Sequence, residues 1–277
     1  MPSFDTPEPV SATIEIVGPA QIVASKRTDT VVEVRPMNPD SKKDVQAAEE
    51  TKVTFSGGKL TVMDPKVRSV IGRKGLVEVS IQLPAGSELN GVSALGDFLC
   101  EGRFGPVRLK TATGNIQIDE AASVWLRTPL GDVLVDQVTG DAEVQGGGRV
   151  RIGRIDGTAS IKNLNGETAL GEVDGDLTVK SSNGSISVVR AGGSVDAKSA
   201  NGSIRVDEVR RGRVTLQTAA GGLEVGIPTS TAAWLDVRSK AGRVRNELGA
   251  AEGPAEAEET VEVRGRTSFG DIVIRRA

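Results

Sequence analysis

The chain has 277 residues, 38% of them hydrophobic and 26% charged, with a formal net charge of −3. That length suits one large domain or two ordinary ones, and the charge balance disfavours a general nucleic-acid binder. The absence of histidine excludes a Ser-His or Cys-His nucleophilic pair, an imidazole base and a histidine metal site.

Aromatic residues are scarce, five Phe, two Trp and no Tyr against 34 Gly, so the core must be built from Val, Ile, Leu and Ala in small regular layers. That composition favours a repeat. The lone cysteine, Cys100, allows no internal disulfide and fits a reducing compartment. The first residues lack the basic and apolar regions of a secretory signal, and no window approaches the ~18 apolar residues of a membrane span. The expectation is a cytoplasmic chain with no membrane span, a surface location staying open.

From the N-terminus, residues 12–16, 30–34, 52–55, 59–62 and 77–83 alternate polar with apolar, as half-buried strands do. Ser56-Gly57-Gly58 marks a hairpin turn. Residues 36–50 read as a polar connection. Together, residues 1–86 are expected to form an antiparallel β cap over the first rung of a stacked coil, because a bare terminal rung is an exposed edge.

Residues 87–277 carry a repeat. The run from Gly175 to Val188 recurs, offset by 18, from Gly193 to Val206. Its second glycine recurs at Gly96, Gly114, Gly131, Gly148, Gly166, Gly184, Gly202, Gly221, Gly242 and Gly270, in steps of 18, 17, 17, 18, 18, 18, 19, 21 and 28. Each unit holds two short alternating stretches and about three inward clusters. Strands this short must stack to bury their apolar face. The predicted fold is therefore all-β: a parallel β-helix or β-solenoid of about nine 17–19-residue rungs, three-sided and right-handed, behind the antiparallel cap. Thr111, Thr128, Asn163, Ser181, Ser199 and Thr218 should form a polar row inside one corner. Asn165, Asn183 and Asn201 should stack as an amide ladder.

The 28-residue step contains an acidic insertion at 246–260. The repeat then resumes from Val261 to Ile274. Read as the last rung, this segment would leave unpaired strand edges, and a homodimer through the C-terminal rung is the expected remedy.

Two outward features are candidate binding sites. Reading down the stack, one position holds Lys110, Arg127, Gln145, Lys162, Lys180, Lys198, Gln217, Arg238 and Arg264. Stacked like charges repel by roughly 1 kcal/mol per neighbour in water before salt screening. This column is either a solubilising face with lysine stems lying over the sheet or a strip for a linear anionic polymer. Trp125 and Trp234 also fall on outward parity and are candidate aromatic contacts. Cys100 falls on inward parity and reads as core.

No residue constellation points to catalysis, a cofactor or a metal. Phosphate-loop and calcium-repeat patterns are missing from the sequence. Asp119 and Asp136, on adjacent rungs, are the one carboxylate pair that a carbohydrate-active β-helix enzyme could use, and a solvated turn explains them as well. The leading reading is a non-enzymatic scaffold or interaction protein with an unknown protein or anionic polymer as partner.

The strand over 77–83 ending in Leu-Pro-Ala-Gly-Ser, followed by repeats of the Lys-Ser-Ala-Asn-Gly-Ser-Ile-Arg-Val type, resembles the bacterial β-strand-repeat proteins of unknown function labelled "putative adhesins", and the composition looks actinobacterial. The resemblance covers nearly the whole chain. It implies a β-helix and surface adhesion, and it carries no catalytic residues.

Overall fold

Leu177, Val179 and Ser181 point inward while Thr178 and Lys180 point outward along a seven-residue strand. Such a strand buries one face only if neighbours extend it above and below, so the chain coils and stacks. The structure, a computed structural model, describes residues 1–65, 75–248 and 259–277. It packs as two units, Met1–Gln137 and Val138–Ala277, each a parallel β-solenoid stack. No helix among the described residues is long and apolar enough to cross a membrane.

The first unit contains β1 (Ser3–Asp5), β2 (Ser11–Ile16), β3 (Ala20–Ser25), β4 (Asp29–Pro36), α1 (Lys42–Glu50), β5 (Lys52–Ser56), β6 (Lys59–Met63), β7 (Val77–Pro84), β8 (Glu88–Ser93), β9 (Phe98–Thr111) and β10 (Ile116–Thr128). β11 (Val133–Val138) ends at the boundary. Three pairings are antiparallel: β1 with β4, β4 with β7, and β5 with β6. The expected cap differs from the structure at β2 and β3. β2 pairs in parallel with β6 on one side and β8 on the other, and β3 does the same between β7 and β9. Residues 11–25 are thus a rung inserted into the stack, not a hairpin laid over it. Alternation looks the same for either strand direction, so periodicity could not separate the two.

Residues 36–50 also differ from expectation, because α1 occupies most of them. Ser41 caps it, its Oγ accepting from the Asp44 backbone N–H at 3.4 Å. The Asp44 carboxylate accepts from the backbone N–H groups of Leu76 at 3.1 Å and Asn38 at 3.2 Å. Ser41 followed three residues later by an acid is an N-terminal helix signal, outweighed in the polar run by the lack of an apolar stripe.

The second unit contains β12 (Ala142–Gly146), β13 (Val150–Ile155), β14 (Ala159–Asn165), β15 (Thr168–Val173), β16 (Leu177–Asn183), β17 (Ile186–Ala191), β18 (Val195–Asn201), β19 (Ile204–Val209), β20 (Gly212–Ala220), β21 (Leu223–Ile227), β22 (Thr231–Ala241), β23 (Val244–Asn246), β24 (Glu259–Phe269) and β25 (Ile272–Arg276). Even-numbered strands from β12 to β20 stack in parallel on one another, and odd-numbered strands from β13 to β21 do likewise. The order then inverts. β20 pairs with β24, and β24 pairs with β22. β21 pairs with β25, and β25 with β23.

This corrects the reading of the C-terminal rung. The segment from Val261 to Ile274 is not at the end of the stack, so a homodimer through it has no open edge to use. Val261, Val263, Ile272 and Ile274 are all at most 2% exposed. The outermost rung is β22–β23. β24–β25, later in the chain, fills the slot between it and β20–β21. The acidic insertion expected at 246–260 lies, from 249 to 258, outside the described residues.

The corner glycines follow from this stacking. Gly184 has φ +132°, a conformation L side chains rarely adopt, and an added Cβ would overlap the carbonyl oxygen of Gly166 one rung away. The polar row beside them is buried as expected: Thr111, Thr128, Asn163, Ser181, Ser199 and Thr218 are all at most 8% exposed. Thr218 Oγ1 donates to the Gly202 carbonyl at 2.9 Å, and Ser199 Oγ to the Gly184 carbonyl at 3.3 Å. The pattern breaks at Asn163, whose Nδ2 donates to the Gly166 carbonyl at 3.2 Å. Ser181 Oγ, left without that acceptor, has no hydrogen-bond partner in the structure.

Candidate functional site

The basic column is built by register. Lys162 lies opposite Lys180, and Lys180 opposite Lys198, on β14, β16 and β18. Gln145 precedes them and Gln217 follows. Lys162 and Lys180 have no carboxylate partner among the described residues. Lys198 Nζ lies 3.2 Å from Asp196. In the first unit, Arg127 lies opposite Lys110 on β10 and β9, and both are exposed.

Arg264 does not belong to the column. It lies opposite Thr215 and Asp236, and its guanidinium bonds Glu262 at 2.6 Å. Arg266 takes its place, opposite Gln217 on one side and Arg238 on the other. Column residues precede the corner glycine by four, as Lys198 precedes Gly202, and counting back from Gly270 reaches Arg266. Arg266 is tied down, its Nη2 bonding Asp236 Oδ2 at 2.5 Å.

Exposed amides flank the lysines. Asn183 Nδ2 donates to Asn165 Oδ1 at 3.1 Å, and Asn201 Nδ2 to Asn183 Oδ1 at 3.0 Å, which is the expected ladder. Between lysines and corner runs a shallow groove of about 380 Å³ lined by Lys180, Lys198, Ala200, Gln217 and Ser268. Its floor is of small side chains, Ser199, Ala200, Thr218 and Ala219 among them, with Lys180, Lys198 and Gln217 beside them.

A second column of the same unit treats charge differently. Arg154, Glu172, Arg190 and Glu208 stand opposite one another in turn. Glu172 bonds Arg154 at 2.7 Å and Arg190 at 2.5 Å. Glu208 bonds Arg210 at 2.9 Å, and that bond, with Arg190 nearby, holds its carboxyl below the usual range. The 18-residue spacing of these four is legible in the sequence, although their alternating sign gives no single-charge column to mark it. This chain neutralises that column throughout, whereas along Lys162–Lys180–Lys198 only Lys198 has a carboxylate partner among the described residues.

The tryptophans separate. Trp125 lies opposite Arg108 and is half-buried, with the guanidinium carbon 5.1 Å from the ring centroid. It is engaged in a cation–π contact and does not serve as a free aromatic surface. Trp234 is 57% exposed on β22, beside a depression of about 370 Å³ lined by Ala232, Ala233, Thr260, Val261 and Glu262.

The remaining candidates are structural. Asp119 Oδ2 accepts from the Gly102 backbone N–H at 2.8 Å, which gives that carboxylate an architectural duty at the bend between β10 and β9. Asp136 is exposed. Cys100 is fully buried, and burial, with Asp119 nearby, pushes its thiol pKa up, the direction of an unreactive thiol. Among the described residues no group of acids and cysteine is arranged to hold a metal.

The sequence model of the Toastrack DUF4097 family matches residues 20–274. A search of curated proteins returned no match. Among solved structures, a protein from Parabacteroides distasonis described as a "putative lipid binding protein" is 16% identical, with 98% of this chain and 95% of that chain covered and a TM-score of 0.46. A "putative adhesin" from Bacteroides fragilis is 13% identical, with 99% and 95% covered and a TM-score of 0.40. These are likenesses to proteins with other sequences, and their roles remain their own.

Proposed function

The chain belongs to the Toastrack DUF4097 family, and on that premise we propose that it is a non-catalytic interaction scaffold whose outer face receives a linear anionic polymer. The observation that carries this reading is the in-register stack of Lys162 on Lys180 and Lys180 on Lys198, set beside an alternating column in the same unit. Lys198 is paired with Asp196, and Lys162 and Lys180 have no carboxylate partner among the described residues. Like charges held at rung spacing store repulsion that a bound polyanion relieves, so binding is favoured by what the free fold pays. The amide ladder offers neutral donors along the same line. Adhesion would be one use of such a strip.

The test uses the full chain and heparin as probe. Binding should weaken steeply as salt rises, because each neutralised anion releases a counterion. Changing Lys162, Lys180 and Lys198 together to Glu should abolish retention while the circular-dichroism spectrum stays unchanged. Equal retention by the triple variant would return the column to a solubilising face.

A further inference from the structure

β22 pairs with β24 along one edge, from Thr231 to Ala241. Among the described residues nothing pairs with its other edge. The inward positions of this rung show the consequence. Leu235 and Val237 are half-buried and Val244 is 45% exposed, whereas their stacked equivalents Val263 and Ile272 are buried. An eleven-residue open edge is a template for another strand. In the first unit the corresponding outer rung, β6–β7, is covered by β5 and β4.

The order of side chains on β22 identifies the occupant. We propose that the open edge of β22 pairs antiparallel with the same edge of a second copy of this chain, about a two-fold axis through Val237. In that register Asp236, which bonds Arg266 of its own chain through one carboxylate oxygen, stands opposite the second copy's Arg238, and Trp234 opposite the second copy's Lys240. Each side contributes both contacts twice over, as an isologous interface requires. Opposite charges facing across an antiparallel pair are favourable, and a cation over tryptophan adds to them. Inward, Val237 meets its own copy and Leu235 meets Ser239, which continues the core across the junction. Moving the axis one residue either way sets Asp236 against Asp236 or Arg238 against Arg238. The sequence of this one strand therefore selects its own register.

The geometry of the coil agrees. Val237 follows Gly265, Leu216 and Ala197 down the stack, and so is the middle residue of one side of the rung. An axis through the middle of that side maps it onto itself and exchanges the other two. Such a contact closes on two copies and does not propagate. It shares Arg238 with the basic column but does not involve Lys162, Lys180 or Lys198, and it neither supports nor needs a polyanion.

Sedimentation of the full chain decides it. A dimer is expected that dissociates on dilution from about 100 μM to about 1 μM, as mass action requires. Arg238→Asp places like charges opposite each other and should weaken the dimer about tenfold or more. Arg238→Lys keeps opposite charges across the junction and leaves the Asp236–Arg266 bond in place, so it should keep the dimer. Val237→Cys places thiols on the axis, where directly opposed Cα atoms stand about 4.5–5.5 Å apart, so oxidation should join the two copies. A monomer throughout the range, an Arg238→Lys variant as weak as Arg238→Asp, or a dimer of Val237→Cys that does not cross-link would each overturn the proposal.

Discussion

Ser239 Oγ donates to the carbonyl of Gly270 at 2.8 Å, although Gly270 comes 31 residues later in the chain. In the regular rungs the corresponding bond reaches back to an earlier glycine, as Thr218 reaches Gly202. Thr267 in turn reaches back to Gly221 at 3.0 Å. These bonds trace Gly202, Gly221, Gly270 and Gly242 in spatial order, and they record the insertion of β24–β25 independently of the strand pairing.

The same bonds predict a graded response. Thr218→Val keeps the shape, removes the donor and leaves the Gly202 carbonyl short of a partner in a buried corner. It should cost about 1–2 kcal/mol in urea unfolding. Ser239→Ala, half-buried on the outermost rung, should cost under about 0.5 kcal/mol. Equal costs at the two sites would mean that the hydroxyls do not act through this ladder.

Two glycines separate conformation from contact. Gly57 has φ +55° and an added Cβ there meets nothing, so Gly57→Ala should cost roughly 1–2 kcal/mol from the left-handed backbone alone. Gly184→Ala adds an overlap with the Gly166 carbonyl. Relieving it would pull adjacent rungs apart, so the loss should exceed about 3 kcal/mol or prevent folding. Similar melting temperatures for the two variants would contradict the close approach of the rungs.

Charge reversal should act oppositely on the two columns. Lys180→Glu puts an acid between Lys162 and Lys198 and should stabilise the fold by a few tenths to about 1 kcal/mol at low salt. Glu172→Lys sets a third cation between Arg154 and Arg190 and should destabilise by a similar amount or more. A fold that gains stability from Lys180→Glu while losing heparin retention would tie the column to binding. Loss of stability in Lys180→Glu would show that the lysines are already compensated.

Stability should be flat across neutral pH and fall in acid. With no histidine, no side chain of ordinary pKa titrates between about pH 6 and 8. The carboxyls of Glu208 and Glu262 are held below their usual range, first by hydrogen bonds from Arg210 and Arg213 respectively. A depressed folded pKa contributes stability that is present above the unfolded value and lost as pH falls through the folded one. The urea midpoint should therefore begin to drop only as the pH passes below roughly 4.3. A marked change between pH 6 and 8 would contradict it.

The rung itself was legible in the sequence. Period-two alternation in stretches such as Val195–Ala197–Ser199, returning every 18 residues to a glycine, leaves little besides a stacked coil, because only stacking buries faces so short. The same spacing gave Asn165, Asn183 and Asn201 as a ladder, and Lys162, Lys180 and Lys198 as one column. Order was not legible. β2–β3 lies between β6–β7 and β8–β9, and β24–β25 between β20–β21 and β22–β23, so neither stands in the stack where it stands in the sequence. Backbone hydrogen bonds are blind to sequence, and an inward face of Val and Ile fits any rung of matching parity. Which rung lies above which was decided by long-range closure, which sets β24–β25 between β20–β21 and β22–β23. That choice, made only in the tertiary structure, moved the open edge to β22, set Arg266 between Gln217 and Arg238, and placed Trp234, Asp236, Arg238 and Lys240 along the rim.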